Sequence, residues 1–142
     1  MIRLQRITMN RRLVIITNDG GRQDYLAGVK ADKDNYIKYF KSPAGGAWEE
    51  DEMFIPGTDV CTPSLFKQYV RKQDAIEHID YWLIVFCGHG GINELGETFF
   101  DFYNDNLMGE IEIRNMFSDS RCLLIADSCR SLPLLEDGGR LV

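Results

Sequence analysis

Three apolar runs constrain this chain more than anything else in it: Leu13 to Thr17 (L-V-I-I-T), Trp82 to Cys87 (W-L-I-V-F-C) and Cys122 to Ala126 (C-L-L-I-A). Each is of strand length and rich in branched residues, and none alternates apolar with polar positions. An alternating strand can leave one face in water. A continuous one reads as covered on both faces, as strands are in a parallel sheet flanked by helices. Met53 to Ile55 reads as a weaker fourth strand, stopped by Pro56-Gly57.

Helical patterns fall between these runs. From Tyr25 to Phe40 the residues Leu26, Val29, Tyr36, Ile37 and Phe40 follow helical spacing, with Asp32 and Lys33 interrupting the stripe. Thr62-Pro63 is a start signal, a capping residue followed by proline at the first helical position. Leu65, Phe66, Tyr69 and Val70 then supply one apolar face. A third helix is expected to include Ile113 to Phe117, and residues 94–106 to form a small hairpin or loop excursion. Strand and helix in alternation predict a three-layer α/β/α sandwich with a mainly parallel sheet, right-handed crossovers setting helices on both faces.

A chain of 142 residues suits one domain. The expected division is a basic arm over 1–11, a folded domain over 12–133 and the start of a linker over 134–142. The arm, MIRLQRITMNRR with its last residue, carries four arginines and no acid, yet the net charge is −6. That balance argues against nucleic acid as the main partner, because phosphate binding needs a basic face. No apolar run is long enough to span a membrane. Two of the four cysteines, Cys87 and Cys122, sit inside strand-like runs, so reduced thiols in a cytoplasmic protein are expected.

Ligands of open α/β sheets bind beyond the carboxyl ends of the strands. His89 follows one apolar run by two residues and Cys129 follows another by three, with 40 residues between them (129 − 89 = 40). On neighbouring strands, about 4.8 Å apart, they would share one rim. Taken singly, a histidine after a strand is usually a turn residue, and a cysteine there a small buried one. Together they form a pair with an evident use: a thiolate nucleophile supported by an imidazole. The glycines around His89 let the backbone approach a substrate carbonyl. The N–H groups of Gly90 and Cys129 could then donate to an oxyanion.

These residues resemble the caspase and metacaspase family of cysteine peptidases. Cys87-Gly88-His89-Gly90 is similar to the family's histidine box, and Asp127-Ser128-Cys129-Arg130-Ser131 to its cysteine box. Leu26-Ala27-Gly28-Val29-Lys30-Ala31-Asp32 fits the stretch that opens the family's first helix. The match runs over roughly residues 12–132. The resemblance implies a caspase-like fold and a thiol endopeptidase with Cys129 as nucleophile and His89 as acid and base. It implies an oxyanion hole from the backbone of Gly90 and Cys129. Asp32 and Asp127 match the acids with which metacaspases hold a basic P1 side chain, so cleavage after Arg or Lys of a protein or peptide is expected.

The chain departs from the pattern in two ways. Arg130-Ser131-Leu132 stands where metacaspases carry His-Ser-Gly. The 142 residues end shortly after the cysteine box, short of the small-subunit portion with further strands that is normal in the family, as expected of a processed large half or a truncated product. A separate small-subunit chain or segment is therefore an expected partner, and Arg140 in Gly138-Gly139-Arg140-Leu141-Val142 a candidate self-processing site. No cofactor is implied, though some metacaspases need calcium, which the acid-rich Glu49-Glu50-Asp51-Glu52 run could bind. The competing readings are a non-catalytic scaffold of the same fold, a zinc site from Cys87, His89 and Cys129, and a phosphate-binding use of the glycine loops.

Overall fold

The computed structural model describes residues 9–20, 27–103 and 106–128. In chain order it contains β1 (Arg11–Asn18), α1 (Gly28–Lys41), β2 (Met53–Phe54), α2 (Pro63–Ile76), β3 (Tyr81–Gly88), β4 (Gly90–Ile92), β5 (Thr98–Phe102), β6 (Asn106–Gly109), α3 (Glu110–Asn115) and β7 (Arg121–Ser128). The apolar runs lie side by side in one parallel sheet of order β2-β1-β3-β7. Register is even along the three long strands, so Arg11, Tyr81 and Arg121 start one row and Asn18, Gly88 and Ser128 end another.

Successive residues of a strand face opposite sides, so each long strand feeds two cores. Val14, Ile16, Trp82, Ile84 and Phe86 face a core completed by Phe66 and Val70 of α2 and Ile113 of α3. Leu13, Ile15, Leu83, Val85 and Cys87 face a second core under Val29 and Phe40 of α1, with Trp48 beside them. The arrangement is the expected α/β sandwich, with α1 on one face and α2 and α3 on the other.

Local signals explain most boundaries. The Thr62 hydroxyl accepts the Leu65 N–H at 3.2 Å and Pro63 opens α2. Asp32 and Lys33 lie within α1 without breaking it. The third helix differs from expectation, running over Glu110–Asn115, with Phe117 buried beyond its end. Glu110 and Glu112 in its first turn suit the positive end of the helix dipole and pull the start forward.

The excursion after β3 is larger than expected. It is a three-stranded antiparallel sheet, β4-β5-β6, beginning at Gly90. Phe100, Phe102 and Met108 on its inner face are buried, and the Phe100 ring lies 4.8 Å from that of Phe86. The turn is tied by Asn93, whose side-chain oxygen accepts the N–H groups of Leu95 and Glu97, and Gly96 takes a φ of +79° there. The small sheet is thus part of the core, and it carries the glycines that follow His89.

One expectation is corrected. Cys122 to Ala126 reads as a strand covered on both faces, but no residue of β7 is fully buried and Leu123 is 50% exposed. Among the described residues β7 pairs on one side only, and the buried residues under α1 come from β1 and β3, with only Ile125 of β7 partly packed against them.

Candidate active site at the strand ends

The carboxyl ends of β1, β3 and β7 close in two rows: Thr17, Cys87 and Asp127, then Asn18, Gly88 and Ser128. The two sequence boxes, 40 positions apart, are therefore direct sheet neighbours. Gly88 takes a φ of +147°, and a Cβ added to it would stand 2.2 Å from the Asn18 carbonyl oxygen. Only glycine fits a backbone turned that way and approached so closely. A Cβ on Gly90 would meet the Ser128 Oγ at 2.9 Å. The histidine box and the cysteine box touch at that point, backbone against side chain.

His89 stands between the parallel sheet and the small one, half-buried. Its carbonyl accepts the Asp101 N–H at 3.0 Å, which extends the β4–β5 ladder by one pair. Antiparallel pairs alternate between bonded and non-bonded kinds. With His89 and Asp101 in a bonded pair, the Gly90 N–H turns away from β5, as a donor to a substrate oxygen would have to. Cys129, the residue next after Ser128, lies outside the described residues, as do Leu26, Arg130, Ser131, Leu132 and Arg140.

The two carboxylates named from the resemblance bear on common neighbours. Asp32 stands on α1 and Asp127 at the end of β7, and both act on the same two groups, Tyr36 and Cys87. The Tyr36 hydroxyl donates to Asp127 Oδ2 at 3.2 Å. Burial, then the charges of Asp127 and Cys87, push the Tyr36 phenol up to about 12, with Asp32 adding a smaller push. Burial, followed by Asp127 and Asp32, pushes the Cys87 thiol up to about 12. Two carboxylates whose charges reach the same phenol and thiol make a negative corner that would favour a guanidinium or ammonium.

Two residues of this region carry no motif. Tyr36 reads as one member of an apolar stripe; its position four residues after Asp32, on the same helix face, was the available signal. Asn18, 7% exposed, follows the L-V-I-I-T run directly, and a polar residue at the end of a strand buried on both faces was the signal there.

The acid-rich run lies at the amino end of β1, away from this rim. Glu49 and Glu52 cap one short turn reciprocally, Glu52 binds Arg11 at 2.8 Å, and Glu50 pairs with Lys41. Among the described residues no group of three or more His, Cys, Asp or Glu could hold a metal ion. Cys87, one member of the zinc reading, is 1% exposed and packs in the core under α1.

The fold is that of an α/β protein with a mainly parallel sheet, and the candidate site lies at its strand ends. No helix among the described residues is long and apolar enough to cross a membrane. No protein-family model matches this chain, and no curated protein matches it.

Proposed function

We propose that this chain is the catalytic portion of a cysteine endopeptidase of the caspase and metacaspase type, cleaving after Arg or Lys. One observation carries the reading: the two boxes are neighbours in register, Gly88 opposite Ser128, with Gly90 packed against the Ser128 side chain. Cys129 attacks the scissile carbonyl and forms the acyl-enzyme. His89 protonates the leaving amine and then takes a proton from the water that releases the acyl group. The N–H groups of Gly90 and Cys129 hold the oxyanion. Asp32 and Asp127 attract the basic P1 side chain, and Tyr36 keeps Asp127 oriented.

The half-exposed β7 supports a further expectation, that a small-subunit portion adds to the sheet edge and completes the substrate groove. The same exposure suits the alternative of a caspase-like module that acts only when joined to a partner.

The test is covalent labelling of the purified chain with a peptidyl-arginine electrophile, mapped by mass spectrometry, beside a P1-aspartate analogue and a His89→Ala variant. Labelling of Cys129 that prefers arginine and is lost in the variant supports the protease. Faster labelling by the aspartate probe overturns the basic specificity, and labelling indifferent to His89 overturns the dyad.

A further inference from the structure

Among the described residues, the polar ones buried as whole residues are Thr17 and Asn18, adjacent at the end of β1. Thr17 pairs with the Thr58 hydroxyl at 2.9 Å, a local tie between neighbouring segments. Asn18 does something different. Its Nδ2 donates to the Asp101 carbonyl at 2.7 Å, crossing from the parallel sheet to the middle strand of the small sheet. Its Oδ1 accepts the Gly20 N–H at 3.0 Å, which fixes which end of the amide faces Asp101. Asp101 in turn donates its own N–H to the His89 carbonyl at 3.0 Å. The Asn18 backbone also lies against Gly88, the residue before His89.

His89 is therefore approached from both sides by one residue: through Gly88 in the sheet register and through Asp101 across the hairpin. Without a tie, the small sheet could shift over Phe86 while keeping its apolar contacts, because packing is non-directional. A buried amide with both ends bonded supplies the missing direction, since leaving either end unmade is costly.

We propose that Asn18 is the positioning residue of the dyad, locking the hairpin to the parallel sheet and so setting the His89 main chain relative to the nucleophile; this rests on the protease reading above. Asn18 acts through Asp101 and Gly88, the residues it bonds and packs against, rather than on the reacting atoms.

The decisive comparison is Asn18→Asp with Asn18→Ala in the full chain. The aspartate variant keeps the shape and the Gly20 bond but sets an oxygen against the Asp101 carbonyl. The alanine variant removes the donor and leaves space. A merely space-filling residue would tolerate aspartate better than alanine; a donor-dependent lock reverses that order. With the peptidyl-arginine electrophile, the maximal rate of Cys129 labelling should fall about tenfold in Asn18→Asp and about threefold in Asn18→Ala, with probe affinity within about twofold of wild type. Amide hydrogen exchange, read by NMR, should quicken about tenfold at Asp101 in Asn18→Asp and stay unchanged at Val85 in β3.

Alanine costing more than aspartate, or Val85 quickening as much as Asp101, overturns the proposal. Wild-type labelling that depends on His89 and survives Asn18→Asp overturns the role of Asn18 while leaving the protease standing. Wild-type labelling that ignores His89 overturns the protease reading and the catalytic role of Asn18 with it.

Discussion

β3 and β7 are of equal length, run parallel in full register, and carry apolar sequences that read alike, yet they occupy opposite conditions. Seven of the eight residues of β3 are buried, while none of β7 is. β3 lies between β1 and β7, with α1 above and α2 and the hairpin below; among the described residues β7 has one paired edge and one thinly covered face. The difference teaches that an apolar strand records how it was built to be covered, and says nothing about which element covers it. It also divides the site, because His89 follows the rigid strand and Cys129 follows the open one.

The largest expected effect comes from exchanging volume on the two strands. Phe86 is 1% exposed and its ring stands 4.8 Å from Phe100 and 5.8 Å from Phe102. Phe86→Ala should cost about 3–5 kcal/mol in urea unfolding, from lost transfer and an unfilled cavity. Leu123→Ala, on β7, should cost less than about 1 kcal/mol, because half of that side chain is already in water. If Leu123→Ala cost as much as Phe86→Ala in the purified chain, β7 would be covered in solution and the contrast would break.

At the rim the contrast becomes one of backbone against side chain. Gly88→Ala on β3 forces a Cβ into the Asn18 carbonyl at a φ of +147°, and should destabilise by about 1–3 kcal/mol. Its register partner on β7, Ser128, has a buried Oγ with no hydrogen-bond partner among the described residues. Ser128→Ala should therefore be neutral or slightly stabilising by the same unfolding measurement. A large loss in Ser128→Ala would mean that its hydroxyl is bonded in solution, and would sharpen where the cysteine box is held.

The cysteines within the two strands extend the comparison to pH. Burial pushes Cys87 of β3 from 9.0 up to about 12, helped by Asp127 and Asp32, and Cys122 of β7 up to about 11, partly offset by Arg114. Both folded values are raised, so the native state holds its thiol protons longer than the unfolded chain does. The contribution is fully present below pH 9 and is lost as pH rises through 9 towards the folded values. Urea midpoints should fall above pH 9. Replacing Cys87 with alanine should flatten that fall more than replacing Cys122, whatever each substitution does to stability at pH 7. Equal flattening would mean that Asp127, Asp32 and Arg114 do not separate the two thiols.

How much of this was legible follows the same division. The parallel sheet was readable because continuous apolar runs have one common explanation, and α2 because Thr62-Pro63 is a chemical signal rather than a tendency. The small sheet was half-read because β4 is Gly-Gly-Ile, which has almost no strand propensity and is held by its register with β5. The exposure of β7 was not legible, since cover is a property of neighbours. His89 and Gly90 could be named from their place after a strand, Asp32 and Asp127 only from the family resemblance; the sheet sets Gly88, Gly90 and Asp127 at one end, and α1 carries Asp32. Asn18 and Tyr36 could not, because a buried amide and one aromatic of a stripe acquire their roles only from what the fold sets opposite them.

The smallest expected effect tests the negative corner between α1 and the open strand. Tyr36→Phe removes one oxygen, leaves the ring stacked on Phe40, and frees Asp127 from its 3.2 Å bond. Stability should change by less than about 1 kcal/mol, the scale of one exposed hydrogen bond. Selectivity should respond more, because a guanidinium needs acceptors fixed in a plane whereas an ammonium is a point charge with rotatable donors. Labelling of Cys129 by a peptidyl-arginine probe should fall about threefold, with the matching lysine probe unchanged, which is a shift of about 0.7 kcal/mol in preference. An equal fall for both probes would assign Tyr36 to packing alone. No fall for either would mean that Asp127 is already held from the β7 side, making the open strand the more ordered partner at this corner.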